Sequence, residues 1–240
     1  MWRRLPDMRV ARSSAAANVV DGRIYVFGGC NEVDFSDWAE VFDPKTQSWD
    51  TLPMPEDPEI RKNRRKIEKS VVMEDKVYAV DQENQSFYYL PSEGIWRRGN
   101  RDSMRGNRNG WCAIGKLLYC CASRWRILWC DPEGLDWKEV KGLDVDRWLA
   151  KNSDISKLKQ LDMTSNGFSR MSCNSRGNIV VFWLVPLPDY EMELWCAEIS
   201  LERHEGGEIW GKIVWEDVVF ELDTDLSYTM KVLYSVSVNL

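Results

Sequence analysis

A single histidine, His204, stands in the whole 240-residue chain, beside Glu205 in a polar stretch. That scarcity leaves no persuasive Ser/His/Asp or Cys/His arrangement, and no HExxH or GxSxG motif is present. The seven cysteines are odd in number and include no CxxC spacing, so a Cys/His zinc site has little to be built from. Six of them sit in or beside apolar runs, where a thiol behaves as a small hydrophobe, and reduced, buried thiols are expected. No apolar run reaches the 18 residues of a membrane span, and Met1 is followed by Trp2, Arg3 and Arg4 rather than by an apolar segment. Neither a membrane helix nor a secretory leader is expected, and the expected location is the cytoplasm, the nucleus or both. The net charge of −6 argues against general nucleic-acid binding.

Aromatic and strand-forming residues are plentiful, with 13 Trp and a hydrophobic fraction of 44%. The stretch VVDGRIYVFGG ends in the pair Gly28 and Gly29. A phosphate loop needs several backbone N–H groups opening onto a helix, usually with a Lys, whereas the residues that follow are the acidic CNEVDFSDW. The pair is therefore expected to turn a backbone. Acidic pairs such as Asp34/Asp37 and Asp223/Asp225 read as solvated turn carboxylates rather than an acid/base couple.

The same stretch opens a repeat. A strand (AAANVVDG), an apolar strand (RIYVFGG), a strand (WAEVFDP), a turn (KTQS) and Trp49 recur as KSVVMEDKVYAVDQ with SFYYLPSEGIWRRG and Trp96, then as GWCAIGKLLYCCAS with RILWCDPEGLDWKEV and Trp137. A stretched fourth copy reads MSCNSRGNIVVFWLV, then ELWCAEISLERHEGGEIWGKIVWEDV with Trp215. Steps between the tryptophans, counted from Trp2, are 47, 47, 41 and 78. Asp43-Pro44 and Asp131-Pro132 start tight turns, because Pro fixes φ and Asp bonds nearby amides. The blades read as 11–56, 66–100, 108–142 and 169–222, after a tail of a preceding blade at 1–10. An inserted loop or short helix is expected at 143–168, and a terminal strand at 228–240. All of this is expected to form one domain, residues 1–240.

These residues resemble kelch repeats, and RVARSSAAANVVDGRIYVFGGC with EVFDPKTQSWDTLP is similar to the plant F-box/kelch-repeat family. The resemblance implies an all-β, kelch-type β-propeller of about four recognisable blades, either a strained closure or an open partial ring. Only the first copy keeps the full glycine motif. Val80-Asp81, Cys120-Cys121 and Phe182-Trp183 replace Gly-Gly in the others. Nothing here resembles the F-box that binds a Skp1-type adaptor, so docking on that adaptor is not expected. The recurring Trp49, Trp96, Trp137 and Trp215 are expected to pack between blades.

What the resemblance implies for function is a non-catalytic interaction module holding an unidentified protein substrate, with no cofactor. The alternatives are a small-molecule or carbohydrate-binding propeller or enzyme, or a truncated product with little activity. Residues 61–126 hold 15 Lys+Arg against 7 Asp+Glu, while the remainder hold 17 against 31. Arg61 to Lys66, including Arg64 and Arg65, fall between the first and second copies. Arg97, Arg98, Arg101, Arg105 and Arg108 fall between the second and third, and Arg124, Trp125 and Arg126 follow Cys121. The family geometry would gather most of these cations at one mouth, where Arg forks and the Trp125 ring would read an acidic or phosphorylated peptide. The competing reading is a solvated loop surface, with 61–66 serving at most as a nuclear-import-like run.

Overall fold

The computed structural model describes residues 4–13, 15–30, 38–63, 67–81, 85–101, 108–122, 125–132, 134–143, 170–186 and 192–222. They form four antiparallel sheets of four strands, each in simple up-and-down order. The first comprises β1 (Ala16–Val20), β2 (Arg23–Phe27), β3 (Ala39–Asp43) and β4 (Ser48–Thr51), and the second β5 (Ile67–Met73), β6 (Lys76–Asp81), β7 (Gln85–Leu90) and β8 (Ile95–Arg101). The third comprises β9 (Arg108–Ile114), β10 (Leu117–Ala122), β11 (Ile127–Cys130) and β12 (Lys138–Glu139), and the fourth β13 (Arg170–Cys173), β14 (Ile179–Pro186), β15 (Met192–Arg203) and β16 (Ile209–Leu222). A six-residue helix, α1 (Pro58–Asn63), lies between the first two sheets. Residues 144–169 and 223–240, which include nearly all of the expected insertion and the whole expected terminal strand, lie outside the described residues.

The chain divides into two compact units, one of Met1–Ser103 with Pro132–Asp136, the other of Met104–Asp131 with Trp137–Leu240. The first unit holds the first two sheets. Their second strands, RIYVF and KVYAVD, are buried over most of their length. Apolar layers cover both faces of such a strand, which is why the sequence shows a run rather than an alternation. The outermost β4 is mostly exposed. Neighbouring innermost strands are joined where Asn18 of β1 donates its amide N–H to Ser70 Oγ of β5 at 2.7 Å.

Packing in this unit centres on Trp96, the second residue of β8. Its ring lies 4.7 Å from Trp38 and 4.6 Å from Tyr89, and meets Phe27 edge-on at 5.4 Å. An outer-strand tryptophan of the second sheet is thus clamped against the first sheet. Its indole N–H donates to Pro53 O at 2.7 Å, and that of Trp49 donates to Pro6 O at 2.9 Å. Each indole reaches 43 residues back along the chain, so the repeat appears in the hydrogen bonds as well as in the spacing. Trp137 is buried in the second unit against Trp111, 5.1 Å away.

The fourth sheet departs from the expected tryptophan. Trp49 and Trp96 are the second residues of β4 and β8, and the second residue of β16 is Trp210, not Trp215. Trp215 lies further along β16, exposed on one side, and its indole donates to Glu198 Oε2 on its own neighbouring strand at 2.6 Å. Trp210 stacks on His204 with ring centroids 5.1 Å apart. Glu198 also accepts the amides of Asn178 and Asn174, at 2.6 and 2.7 Å. Hydrogen bonding, first from Asn178 and then from Trp215 and Asn174, with the nearby charge of Arg176, holds its carboxyl below the ordinary carboxylate range despite burial.

Hairpin chemistry explains the register. β1 and β2 join through Asp21-Gly22, at φ 48 and 72, while β5 and β6 join through Glu74-Asp75, at φ 48 and 58. Both positions of such a turn need the left-handed region, which costs an L-residue roughly 1–2 kcal/mol. Asp75→Gly removes one of these costs and adds unfolded-state freedom of about 0.4–1 kcal/mol in opposition. The variant is expected to be more stable by about 0.5 kcal/mol. A urea midpoint that falls instead of rising would count against this account of the turn.

Candidate partner-binding surface

The cations singled out in the sequence do not share one structural setting. Arg61 ends up as a local fastener. The carboxylate of Asp57 accepts the Glu59 N–H at 2.8 Å where α1 begins, Ile60 is buried in the core, and the Arg61 guanidinium donates to Pro55 O at 2.6 Å and Glu56 O at 2.8 Å. Residues 61–63 therefore close a short helix, and Arg64 and Arg65 lie outside the described residues.

Arg97, Arg98 and Arg101 are strand residues of β8, not loop residues, and Arg108 is the first residue of β9. For Arg97 and Arg98 the physical reason is that an outermost strand has one wet face, which long charged side chains occupy without loss. Arg97 stands 3.9 Å from Glu93, and Arg98 stands 3.3 Å from Asp57. Arg101 belongs to the first unit, whereas Arg108 and Arg126 belong to the second. Arg105 and Arg124 lie outside the described residues.

Trp125 is a correction. It was expected as an exposed ring for stacking on a partner, but it is buried at φ 62 in the core of the second unit, edge-on to Trp183 at 6.2 Å. A positive φ turns the chain sharply after β10 and points the largest side chain of the segment inwards, where its apolar area is removed from water. Arg126 next to it stays partly exposed, 3.9 Å from Glu139.

Where β2 ends and β3 begins, the structure assembles a group that the sequence did not announce. The Gly28 N–H donates to Trp38 O at 2.9 Å, which ties the end of β2 to the start of β3. Arg12 donates from one terminal nitrogen to Gly28 O and Trp38 O, both at 2.8 Å, and from the other to Glu40 Oε1 at 2.6 Å. Glu40 Oε2 accepts the Arg9 N–H at 2.8 Å. Both side chains of this ion pair are essentially inaccessible, at 1% and 0% exposure, so the pair is a structural tie and not a surface for a partner. Gly29 lies against the backbone of Ser13 and Ala15, and its carbonyl accepts the Ser13 N–H at 2.7 Å. The one sequence signal for this group is a lone carboxylate, Glu40, inside the apolar run WAEVF.

At the other end of the same strands, a cleft of about 460 Å³ is bordered by Arg23, Tyr25, Asp43, Lys45, Pro91 and Ser92. Asp43 accepts the Lys45 N–H at 2.8 Å and pairs with Arg23 at 3.1 Å. The Lys45 N–H foremost, with help from Arg23, lowers its carboxyl below the ordinary range. Since Arg23 already faces Asp43, the cleft presents mixed charge rather than an anion trap. Among the described residues, no three His, Cys, Asp or Glu side chains are grouped to hold a metal ion. No helix among them is long and apolar enough to cross a membrane.

The chain matches the family described as FKB95, Kelch-repeats domain, over residues 1–220. It is 36% identical over 274 aligned residues to a putative F-box/kelch-repeat protein of Arabidopsis thaliana, covering 99% of this chain and 69% of that protein. Two further F-box/kelch-repeat proteins of the same plant are 32% and 35% identical, covering 95% and 90% of this chain. The chain spans only 54% and 51% of their lengths. Among solved structures it is similar to YCF48 from Cyanidioschyzon merolae, with a TM-score of 0.50 at 10% identity, covering 86% of this chain and 73% of that one. That likeness is one of fold alone, the all-β propeller built from four-stranded sheets.

Proposed function

Because the chain belongs to the FKB95-type family of kelch-repeat domains, we propose that it is a protein-interaction module that holds a protein partner for ubiquitin-dependent degradation. The family match over residues 1–220, together with the similarity to relatives named as F-box/kelch-repeat proteins, carries this reading. Within each unit the four-stranded sheets supply a frame, and segments that join elements of such repeats tolerate change without disturbing it. We assign it no catalytic step. Function on this fold resides in those segments.

The partner class we propose is an acidic or phosphorylated peptide, supported by the excess of 15 Lys+Arg over 7 Asp+Glu in residues 61–126. Bidentate guanidinium contacts, rather than aromatic stacking by Trp125, would supply the recognition. A pull-down from plant extract comparing the wild-type chain with Arg101/Arg105/Arg108→Glu tests both levels. The expected outcome is capture of a stoichiometric protein by the wild type, weakened by salt and lost in the variant. Capture that is unchanged in the variant and indifferent to salt sinks the basic-surface reading but leaves the interaction module. The module itself fails if the folded wild type captures no protein.

A further inference from the structure

In the second unit the innermost strands β9 and β13 run side by side, and three contacts fix their direction. A Cβ built on Gly110 would lie 2.9 Å from Met171 N, and one on Gly177 would lie 3.5 Å from Ile114 Cγ2. Between these, the Cys173 thiol reaches Ala113 O at 3.7 Å. Residue numbers rise together on the two strands, so they run in the same sense. Two residues beyond the Gly110–Met171 approach stand Cys112 and Cys173, level with each other on the adjacent strands and both packed in the apolar core of the unit. Cys112 is buried, whereas Cys173 is half-buried with one side towards solvent. Neither residue takes part in the interaction surface described above.

We propose that Cys112 and Cys173 form a peroxide-responsive dithiol, with Cys173 as the reacting sulfur and Cys112 as the resolving one. When Cys173 ionises, the Cys112 thiol donates to the resulting thiolate and stabilises it, which lowers the Cys173 pKa to about 6 and pushes that of Cys112 up. The Cys173 thiolate attacks one oxygen of a hydroperoxide. An S–O bond forms, the O–O bond breaks, and the leaving oxygen departs as hydroxide or alkoxide and takes up a proton. The Cys112 sulfur then attacks the sulfenic sulfur. The S–S bond forms, the S–O bond breaks, and the hydroxyl leaves as water with the Cys112 proton. Two thiols are thereby oxidised by two electrons and one peroxide is reduced. The product is a covalent staple between the innermost strands of the third and fourth sheets.

The test uses the full chain treated with equimolar hydrogen peroxide at pH 7, followed by maleimide blocking, digestion without reductant and mass spectrometry. The expected result is a linked Cys112–Cys173 peptide, two fewer free thiols, and full recovery with dithiothreitol. Without peroxide, Cys173 is expected to be the first of the seven cysteines alkylated at neutral pH, about ten-fold ahead of the next. In Cys112→Ser, checked for native tryptophan fluorescence, the linked peptide disappears and dimedone traps a sulfenic acid at Cys173. Peroxide that oxidises another cysteine first, or that takes wild-type Cys173 to the sulfinic acid without the linked peptide, overturns the proposal.

Discussion

Arg12→Met is expected to destabilise the protein by about 3–5 kcal/mol, the range found when one member of a buried ion pair is removed. Glu40, fully inaccessible, would keep, among the described residues, the Arg9 N–H alone as a partner for its charge, and the carbonyls of Gly28 and Trp38 would each lose a donor. Leaving such groups dry and unpaired dominates the loss; the attraction of the pair itself is partly offset by the cost of desolvating it. Glu40→Leu should be similarly damaging, because it leaves the buried guanidinium charge without its carboxylate. The double variant Arg12→Met/Glu40→Leu is then expected to be less destabilised than the sum of the two by about 3 kcal/mol, since no uncompensated charge remains. Arg12→Lys should rescue only part of the loss. An ammonium lacks the planar fork that meets two carbonyls from one nitrogen and a carboxylate from the other. Urea unfolding followed by tryptophan fluorescence measures all four proteins. Strictly additive losses would show that the pair contributes through packing alone.

The strands were legible because their signals are local. RIYVF, KVYAVD and LLYCCA are apolar runs bounded by turn residues, and each became a second strand buried between layers. Positions that depend on depth were harder to read. A linear count picks Trp215 at the end of the fourth copy, whereas the pairing of β15 with β16 puts Trp210 at the start of the outer strand, opposite Glu202. In sequence Trp125 reads as a loop side chain open to a partner, but its backbone turn sends it into the core, and nothing in SRWRI encodes that direction. Arg97 and Arg98 were assigned to a connection because charge suggests a loop, although an outer strand accepts charge equally well. The Arg12–Glu40 tie joins residues 28 positions apart, and it takes the pairing of β1 with β2, the bridge from Arg12 to Cys30 and the pairing of β2 with β3 to bring them together. Each missed feature required a long-range contact, which no local pattern contains.

Gly29→Val is expected to lose about 3–5 kcal/mol, and Gly29→Ala about 2–4 kcal/mol, summing two separable penalties. The first is conformational: Gly29 sits at φ 71, where an L-residue pays roughly 1–2 kcal/mol and a β-branched one more. The second is steric. A Cβ here would lie 2.6 Å from Ser13 O and 2.8 Å from Ala15 N, both backbone atoms that cannot swing aside without breaking the Ser13 N–H to Gly29 O bond. Gly22 separates the two terms, because it has φ 72 but nothing within 4 Å of its would-be Cβ. Gly22→Ala should therefore show the conformational cost alone, reduced by the unfolded-state gain, for a net loss of about 0.5–1 kcal/mol. Equal losses at the two glycines would remove the steric argument. The same packing decides the meaning of the glycine pair itself: the space over Gly29 that an anion would need is filled by backbone atoms of Ser13 and Ala15, so the bare Cα serves close contact between chain segments and leaves no room for a phosphate.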